Sequence, residues 1–421
     1  MGKGTEKKVW DVAVIGGGPA GMMAAGRAAE KGASVILLEK NASLGKKLLI
    51  TGGGRCNVTN AEFDGRALLA KYGERGKYLF SPFSALDAKD AIAFFEARGM
   101  PTKVEAEKRV FPVSDSAKSV HDVLVKYMKN GHVTVATKSP VQKLQAKETV
   151  HEAVLVDGTA IKARSFIIAC GGASRPETGS TGDAFKWLTE LGHKVSTANA
   201  ALVPISVHEK WVARVAGVSL QDVKISLFQY GAKQKSLIGK VLFTHEGLSG
   251  PGILNLSRDI GELLQYGDLA LEIDLLPDSG YEKVNESLQA ILKEHHTKML
   301  RNSLRTLVAP ALVPVILEIA EINAEKQCNS VTREERVRLM KLLKHLPLSV
   351  KGLLGLDRAV VTSGGVSLDD VDTKSMRSRL FPNLYLVGDV LDISRPSGGY
   401  SLQLCWSTGY VAGEAAAQKF E

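Results

Sequence analysis

Val9-Trp10-Asp11-Val12-Ala13-Val14-Ile15-Gly16-Gly17-Gly18-Pro19-Ala20-Gly21 decides the fold of this chain. The first part is a nearly continuous apolar run of strand length, the second a glycine turn, and an Ala- and Met-rich stretch follows to about Lys31. The order reads strand, turn, helix. Ser34-Val35-Ile36-Leu37-Leu38-Glu39 is a second apolar run, so residues 9–39 are expected to form a βαβ unit with a right-handed crossover and parallel strands. Gly16-x-Gly18-x-x-Gly21 is the spacing in which glycines permit a tight turn and close backbone approach. A pyrophosphate can then sit on the helix N-terminus, beside Pro19 and Ala20. Glu39, followed by Lys40, ends the second strand where a carboxylate can accept the 2′- and 3′-hydroxyls of an adenosine ribose. A plain glycine turn with a surface glutamate does not explain strand, helix and acid together, so dinucleotide binding is expected.

NAD and FAD share this fingerprint, and the C-terminus separates them. Leu384-Tyr385-Leu386-Val387-Gly388-Asp389 is a buried strand ending in a glycine turn, and a helix can open at Gly398-Gly399-Tyr400-Ser401. Gly388-Asp389 offers a carboxylate to a ribityl hydroxyl. The helix opening aims free N–H groups at a group that becomes negative on reduction, such as the flavin N1/C2=O edge. A nicotinamide has no such need, so non-covalent FAD is the expected cofactor. No second strand-linked G-x-G-x-x-G exists, so NAD(P)H, if used, enters the same cleft as the substrate.

Between these ends the texture changes. Helical stretches are expected near Ala88–Arg98 and Ala117–Met128. A β-meander through Val133-Thr134-Val135, Val141–Leu144 and Val154-Leu155-Val156 should end in Phe166-Ile167-Ile168-Ala169. Val223-Ile225-Leu227 and Leu269-Leu271-Ile273-Leu275 alternate as half-buried antiparallel strands do. Val284, Leu288, Ile291 and Leu292 share one helical face, as do Leu339, Leu342, Leu343 and Leu346, with Thr332-x-x-Glu335 as a capping box. The expected fold class is α/β. A discontinuous Rossmann-like FAD domain covers residues 1–198 and 357–421, an inserted β-rich, barrel-like domain covers 199–280 and 346–356, and a helical subdomain covers 281–345.

At 421 residues with 44% apolar and 24% charged content, the chain is a folded multidomain protein rather than a disordered or fibrous one. Lys plus Arg is 54 and Asp plus Glu is 45, giving +9, a mild excess that suits anionic ligands without indicating nucleic acid. Cys56, Cys170, Cys328 and Cys405 form no C-x-x-C pair, which excludes a written zinc site or disulfide framework and favours a reducing, cytoplasmic compartment. No apolar run reaches membrane-span length. Nothing reads as an export signal, and Glu6 stands where a myristoylation signal has Ser or Thr.

Ile50-Thr51-Gly52-Gly53-Gly54-Arg55-Cys56-Asn57-Val58-Thr59-Asn60 follows Lys46-Lys47. Here the sequence resembles the YhiN/BaiN-like flavoproteins, also called the aminoacetone oxidase family of FAD-binding enzymes. The resemblance continues through Arg109-Val110-Phe111-Pro112, Ala169-Cys170-Gly171-Gly172, Phe243–Pro251, Thr362-Ser363-Gly364-Gly365-Val366 and Gly398-Gly399-Tyr400. It implies a glutathione-reductase-type FAD domain interrupted by a β-barrel-like domain that carries a small helical bundle. It also implies that Gly54, Arg55, Cys56 and Asn57 lie along the flavin and that Lys47 meets phosphate charge. Val141 would meet the adenine through its main chain, and Gly171 belongs to the cofactor loop. Asp389 stands where relatives often have Glu, and Arg395-Pro396 with Ser401 where they often have a Gly-containing turn and Asn. Precedents are an amine-type oxidase and an enoyl or steroid-type reductase.

Candidates for chemistry are few. His245-Glu246 lies in a glycine-rich strand-end loop, where His can exchange a proton near neutral pH and Glu can tune it. The alternative is a hairpin-stabilising pair. Tyr400 and Arg395 flank the flavin-facing helix start, and Arg395 reads either as an attractor of acidic substrates or as a solvated loop residue. Cys56 reads as packing rather than a redox thiol, Cys170 as buried, and Cys328 and Cys405 as helix residues without a role. His295-His296 point to different helix faces, so no metal site is expected. The expected partner is a small molecule held between the FAD and inserted domains, with no membrane and no nucleic acid. The other possibilities are a flavin-bound sensor or an RNA-interacting flavoprotein. The RNA reading uses Arg333, Arg336, Arg338, Lys341 and Lys344 with Lys374, Arg377 and Arg379 on phosphates.

Overall fold

The computed structural model describes residues 8–354 and 361–418. They fall into two units, Met1–Ala201 with Ala359–Glu421, and Leu202–Arg358. The expected return to the first domain at residue 357 lies outside the described residues.

In the first unit, Val9–Ile15 pairs in parallel with Val35–Leu38 across helix Pro19–Glu30, as the apolar runs require. The sheet path runs Val371–Asp372, Arg377–Ser378, Leu384–Leu386, Ala160–Ile168, Val9–Ile15, Val35–Leu38, Thr134–Ala136. Leu384–Leu386 pairs in parallel with Ala160–Ile168, so the chain's C-terminal strand completes the N-terminal sheet. Helix Tyr400–Ala417 packs directly on helix Pro19–Glu30. A Cβ on Gly409 would lie 2.5 Å from the Ala20 carbonyl oxygen, and one on Gly413 2.4 Å from that of Ala24. The two small-residue faces let these backbones touch, which locks both ends of the chain together.

One strand assignment is corrected. Thr134–Ala136 is not part of the meander; it pairs in parallel with Val35–Leu38 at the sheet edge. The meander consists of Val141–Ala146, Val150–Leu155 and Ala160–Ile168. Helix Ala117–Asn130 brings the chain back to the strand's start, so it acts as a crossover and imposes the parallel direction.

The second unit is a closed six-stranded antiparallel barrel of Ile205–Val207, Gly247–Ser249, Ala232–Phe243, Ser219–Gln229, Leu269–Asp274 and Leu346–Leu353. Val223, Ile225 and Leu227 face inward with Leu269, Leu271 and Ile273. Helices Tyr281–Glu294, Val313–Ile319 and Arg333–Lys344 share this apolar core through Val284, Leu288, Ile316, Leu339 and Leu343. The capping box forms: Thr332 and Glu335 each accept from the other's backbone N–H. Leu346 leaves the helical face assigned to it and opens a barrel strand, because the helix ends at Lys344 and Leu346, as the residue before Pro347, favours extended geometry. Among the described residues no helix is long and apolar enough to cross a membrane.

Candidate functional site

The C-terminal ends of Val9–Ile15, Val35–Leu38, Ala160–Ile168 and Leu384–Leu386 converge on a groove in the first unit, the edge where open α/β sheets bind ligands. Gly16, Gly18, Pro19 and Ala20 line its floor. Gly16 adopts φ +109°, and a Cβ there would sit 2.5 Å from the Ala169 carbonyl oxygen, so the fold itself demands glycine. Gly18 is different. Its φ of −81° suits any residue, and a Cβ would meet nothing within 4 Å. No neighbouring atom requires glycine here, and the open space lies at the start of a 12-residue helix whose first N–H groups have no side-chain cap. A pyrophosphate fits both features.

Glu39 is buried and lines the groove, and its carboxylate accepts from the Gly17 N–H at 2.8 Å and from the Asn41 N–H and Nδ2, each at 2.7 Å. These bonds fix the carboxylate at the strand end, where its remaining lone pairs suit ribose hydroxyls. Lys40 is drawn across the groove to Thr181 and to Asp183, at 2.7 Å from the latter. Lys47 donates to the Ser174 carbonyl at 2.7 Å and its hydroxyl at 3.1 Å. Burial pushes its ammonium below the usual range, with Asp389 opposing that shift. An anionic group in the groove would oppose that shift, and a diphosphate is such a group. Val141 and Gly171 also line the groove.

Beyond Gly171 and Gly172, sequence reasoning missed the rest of this loop, although Thr178, Gly179, Ser180 and Asp183 line the groove and Asn41 reaches the Thr178 carbonyl. Its signal was composition: small and polar residues directly after a parallel strand. Cys170 was expected to be buried. It is half-buried at the groove wall, donating to the Ile15 carbonyl at 3.4 Å, because the chain turns outward at Gly171. Cys405 lines the groove too. Burial pushes the Cys56, Cys170 and Cys405 thiols up to about 12, so none is a thiolate near neutral pH.

The glycine-rich segment takes left-handed φ at Gly52, Gly53 and Gly54, then at the buried Cys56. Arg55 turns to two carboxylates, Glu105 and Asp115, each at 2.5 Å, and lies over the Phe111 ring at 4.2 Å. Asn57 Oδ1 is buried without a hydrogen-bond partner, an orphan acceptor in the segment expected to meet the flavin. Thr59–Asn60 lashes this segment to the last helix. Thr59 donates to Gln403 at 2.6 Å, Asn60 Nδ2 to the Gly398 carbonyl at 3.1 Å, and Trp406 Nε1 to the Val58 carbonyl at 2.9 Å.

At the C-terminal return Asp389 lines the groove, and Gly399 caps helix Tyr400–Ala417 in left-handed geometry. The solvated-loop reading of Arg395 is corrected: its side chain is 0% exposed, ion-paired with Asp389 and bonded to Ser401 and the Ile393 carbonyl. It is therefore not free to attract an acidic substrate. Tyr400 is buried against Tyr72, whose hydroxyl donates to the Tyr400 carbonyl at 2.8 Å, and burial raises the Tyr400 phenol. In the second unit His245 and Glu246 are exposed at the corner of a turn closed by the Thr244 N–H on the Gly247 carbonyl at 2.8 Å. Groups of three or more potential metal ligands are absent among the described residues.

The chain matches the family described as HI0933-like protein Rossmann domain over residues 10–415. It is 31% identical over 413 residues to a 3-dehydro-bile acid delta(4,6)-reductase of Clostridium scindens, covering 97% of this chain and 99% of that protein. It is 29% identical to a ribosomal RNA dihydrouridine synthase of Escherichia coli, covering 96% and 97%. Among solved structures, 3-ketosteroid-delta4-(5alpha)-dehydrogenase from Rhodococcus jostii RHA1 aligns over 99% of both chains at 16% identity with a TM-score of 0.56. 3-Ketosteroid delta1-dehydrogenase from Sterolibacterium denitrificans aligns over 97% of this chain and 99% of that one at 12% identity, with a TM-score of 0.57. These two likenesses show the shared fold.

Proposed function

The chain belongs to the HI0933-like family of Rossmann FAD-binding proteins, and from that premise we propose that it is an FAD-dependent reductase of carbon–carbon double bonds conjugated to a carbonyl, with NAD(P)H as the source of electrons. The observation that carries the cofactor is the cradle at Gly18, open on a groove that also presents Glu39, Lys47 and Asp389. Support for the reaction comes from the relatives' names. A 3-dehydro-bile acid with Δ4,6 unsaturation and a uridine base both hold a ring double bond in conjugation with a carbonyl, and no relative named above is an amine oxidase. Bound FAD supplies hydride transfer to the β-carbon. The chain's part is to bind and orient: Glu39 the adenosine ribose, Lys47 and the Pro19–Glu30 helix start the diphosphate, Asp389 the ribityl chain, and the Arg55–Asn57 segment with the Tyr400 helix start the ring. The proton that completes the reduction is assigned to the His245–Glu246 turn.

Anaerobic reduction by NADH and NADPH, followed by reoxidation with 3-oxo-Δ4,6 steroids, simple cyclic enones, uridine-containing RNA, amines as counter-substrates and oxygen, tests the reading. Reoxidation by an enone with formation of the saturated ketone is the expected result. A flavin reduced directly by amines and inert to every conjugated alkene would replace it with an amine oxidase, and one reduced slowly by every donor with a sensor. On the substrate found, His245→Ala and Glu246→Ala are expected to lower turnover about 100-fold with unchanged FAD content. Turnover at the wild-type rate in both would make the pair a structural turn.

A second reading, an RNA substrate, is favoured by the two relatives named ribosomal RNA dihydrouridine synthase, at 29% and 28% identity. The helix first assigned to phosphate contact keeps Arg333 and Lys341 exposed, while its other cations are engaged within the unit. Lys344 is buried and ion-paired with Asp274 at 2.7 Å, Arg338 is bonded to the Ala320 carbonyl and Arg336 to Asn285. Lys374, Arg377 and Arg379 remain exposed. Retention on ribosomal RNA over a salt series should fall steeply if these or other cations meet phosphates; absence of binding at low salt removes the reading.

A further inference from the structure

Behind the groove wall lies a buried cation that the cofactor assignment leaves unused. Asp389 lines the groove and Arg395 does not. The Arg395 guanidinium, fully shielded from solvent, spends each of its three nitrogens on a different partner: Nη2 on Asp389, Nε on Ser401 Oγ at 3.0 Å, Nη1 on the Ile393 carbonyl at 2.7 Å. Those partners belong to the turn Gly388–Val390, the loop that follows it, and the first turn of helix Tyr400–Ala417. One planar fork thus ties together the segments the sequence assigns to the ribityl chain and the flavin ring. A lysine cannot do this, because one ammonium is a single point of charge on a flexible stem.

We infer that Arg395 is a positioning residue for the flavin half of FAD, acting from outside the groove by holding Asp389 against the start of the last helix. The inference deepens the FAD reading and rests on it. Without the guanidinium, Asp389 is a carboxylate whose side chain is only 15% exposed and which has lost its partner. It then turns toward water, away from the place a ribityl hydroxyl needs. The adenosine diphosphate half is held by other groups, the Gly16–Gly21 turn, Glu39 and Lys47, so the two halves of the cofactor should respond differently.

The test measures the affinity of flavin-free full-length protein for FAD and, separately, for ADP, in wild type, Arg395→Ala, Asp389→Asn, the double variant and Arg395→Lys. Arg395→Ala is expected to weaken FAD at least about tenfold and to leave ADP within about twofold. Arg395→Lys should fall between, since it keeps Asp389 company and loses the fork. In the Asp389→Asn background the Arg395 change should add little, because its route is already cut. Equal losses for FAD and ADP would make Arg395 a general structural residue and overturn the inference, as would unchanged FAD affinity or fully additive losses in the double variant. Should Arg395→Ala fail to fold, Arg395→Lys and Ser401→Ala carry the same FAD-against-ADP comparison. A wild-type chain that binds ADP but not FAD overturns the cofactor reading instead, which separates the two failures.

Discussion

Gly18→Val should purify colourless. The wild-type protein is expected to be yellow and to release free FAD on denaturation. The valine should abolish that colour, because its branched side chain enters the space at the helix start that a pyrophosphate needs. The effect should be confined to the cofactor: a Cβ at residue 18 meets nothing within 4 Å, and φ of −81° is ordinary backbone, so the variant keeps its fold. Gly16→Val makes the useful contrast. There the side chain would collide with the backbone at Ala169, 2.5 Å away, in a left-handed conformation, so folding itself should suffer. Absorbance near 450 nm and the circular dichroism of both variants separate these outcomes. A yellow, fully loaded Gly18→Val would show that the cradle holds no phosphate, and the roles given to Glu39, Lys47 and Asp389 would go with it.

The contrast between those two glycines also shows what a sequence can convey. Spacing alone marks Gly16 and Gly18 equally, but only the neighbouring strand end at Ala169 reveals that one serves the fold and the other the ligand. The βαβ unit was legible because strand and helix periods are local, and the barrel because Val223, Ile225 and Leu227 alternate within a few residues. Partners distant in sequence were not legible. The carboxylates that Arg55 meets, Glu105 and Asp115, lie 50 and 60 residues further along the chain, where no spacing marks them. Arg395, set among Ser394, Pro396, Ser397 and Gly398, has the composition of a solvated loop. Its burial follows from Asp389 and Ser401, which flank it at equal spacing and which only the turn Gly388–Val390 and the helix start bring to the same point. The part of the loop beyond Gly172, up to Asp183, escaped notice for a related reason: its contacts with Lys40, Asn41 and Lys47 are largely made by polar groups of small residues, which carry no period.

Trp406→Ala should be among the most destabilising single substitutions in the first unit, lowering stability by about 3–5 kcal/mol. Trp406 is fully buried, meets Phe95 edge-on at 5.3 Å, and donates its indole N–H to the Val58 carbonyl at 2.9 Å. It therefore joins the C-terminal helix to the segment that follows the glycine-rich loop, and alanine would leave both a cavity and an unpaired carbonyl. Trp406→Phe separates the two costs. The ring keeps much of the volume while the Val58 carbonyl still loses its donor, so a loss of about 1–3 kcal/mol is expected from the hydrogen bond and the smaller remaining void. Urea denaturation of apo and FAD-loaded protein measures each. Because the two ends of the chain build the cofactor groove together, a ligand that binds only the folded state should raise the stability of the variants by mass action, about 2.7 kcal/mol at a free concentration one hundred times its dissociation constant. FAD should thus recover much of the Trp406→Phe loss and only part of the Trp406→Ala loss. If excess FAD leaves the unfolding midpoint of the wild type and both variants unmoved, the groove does not bind FAD, and the tie between the two ends of the chain serves the fold alone.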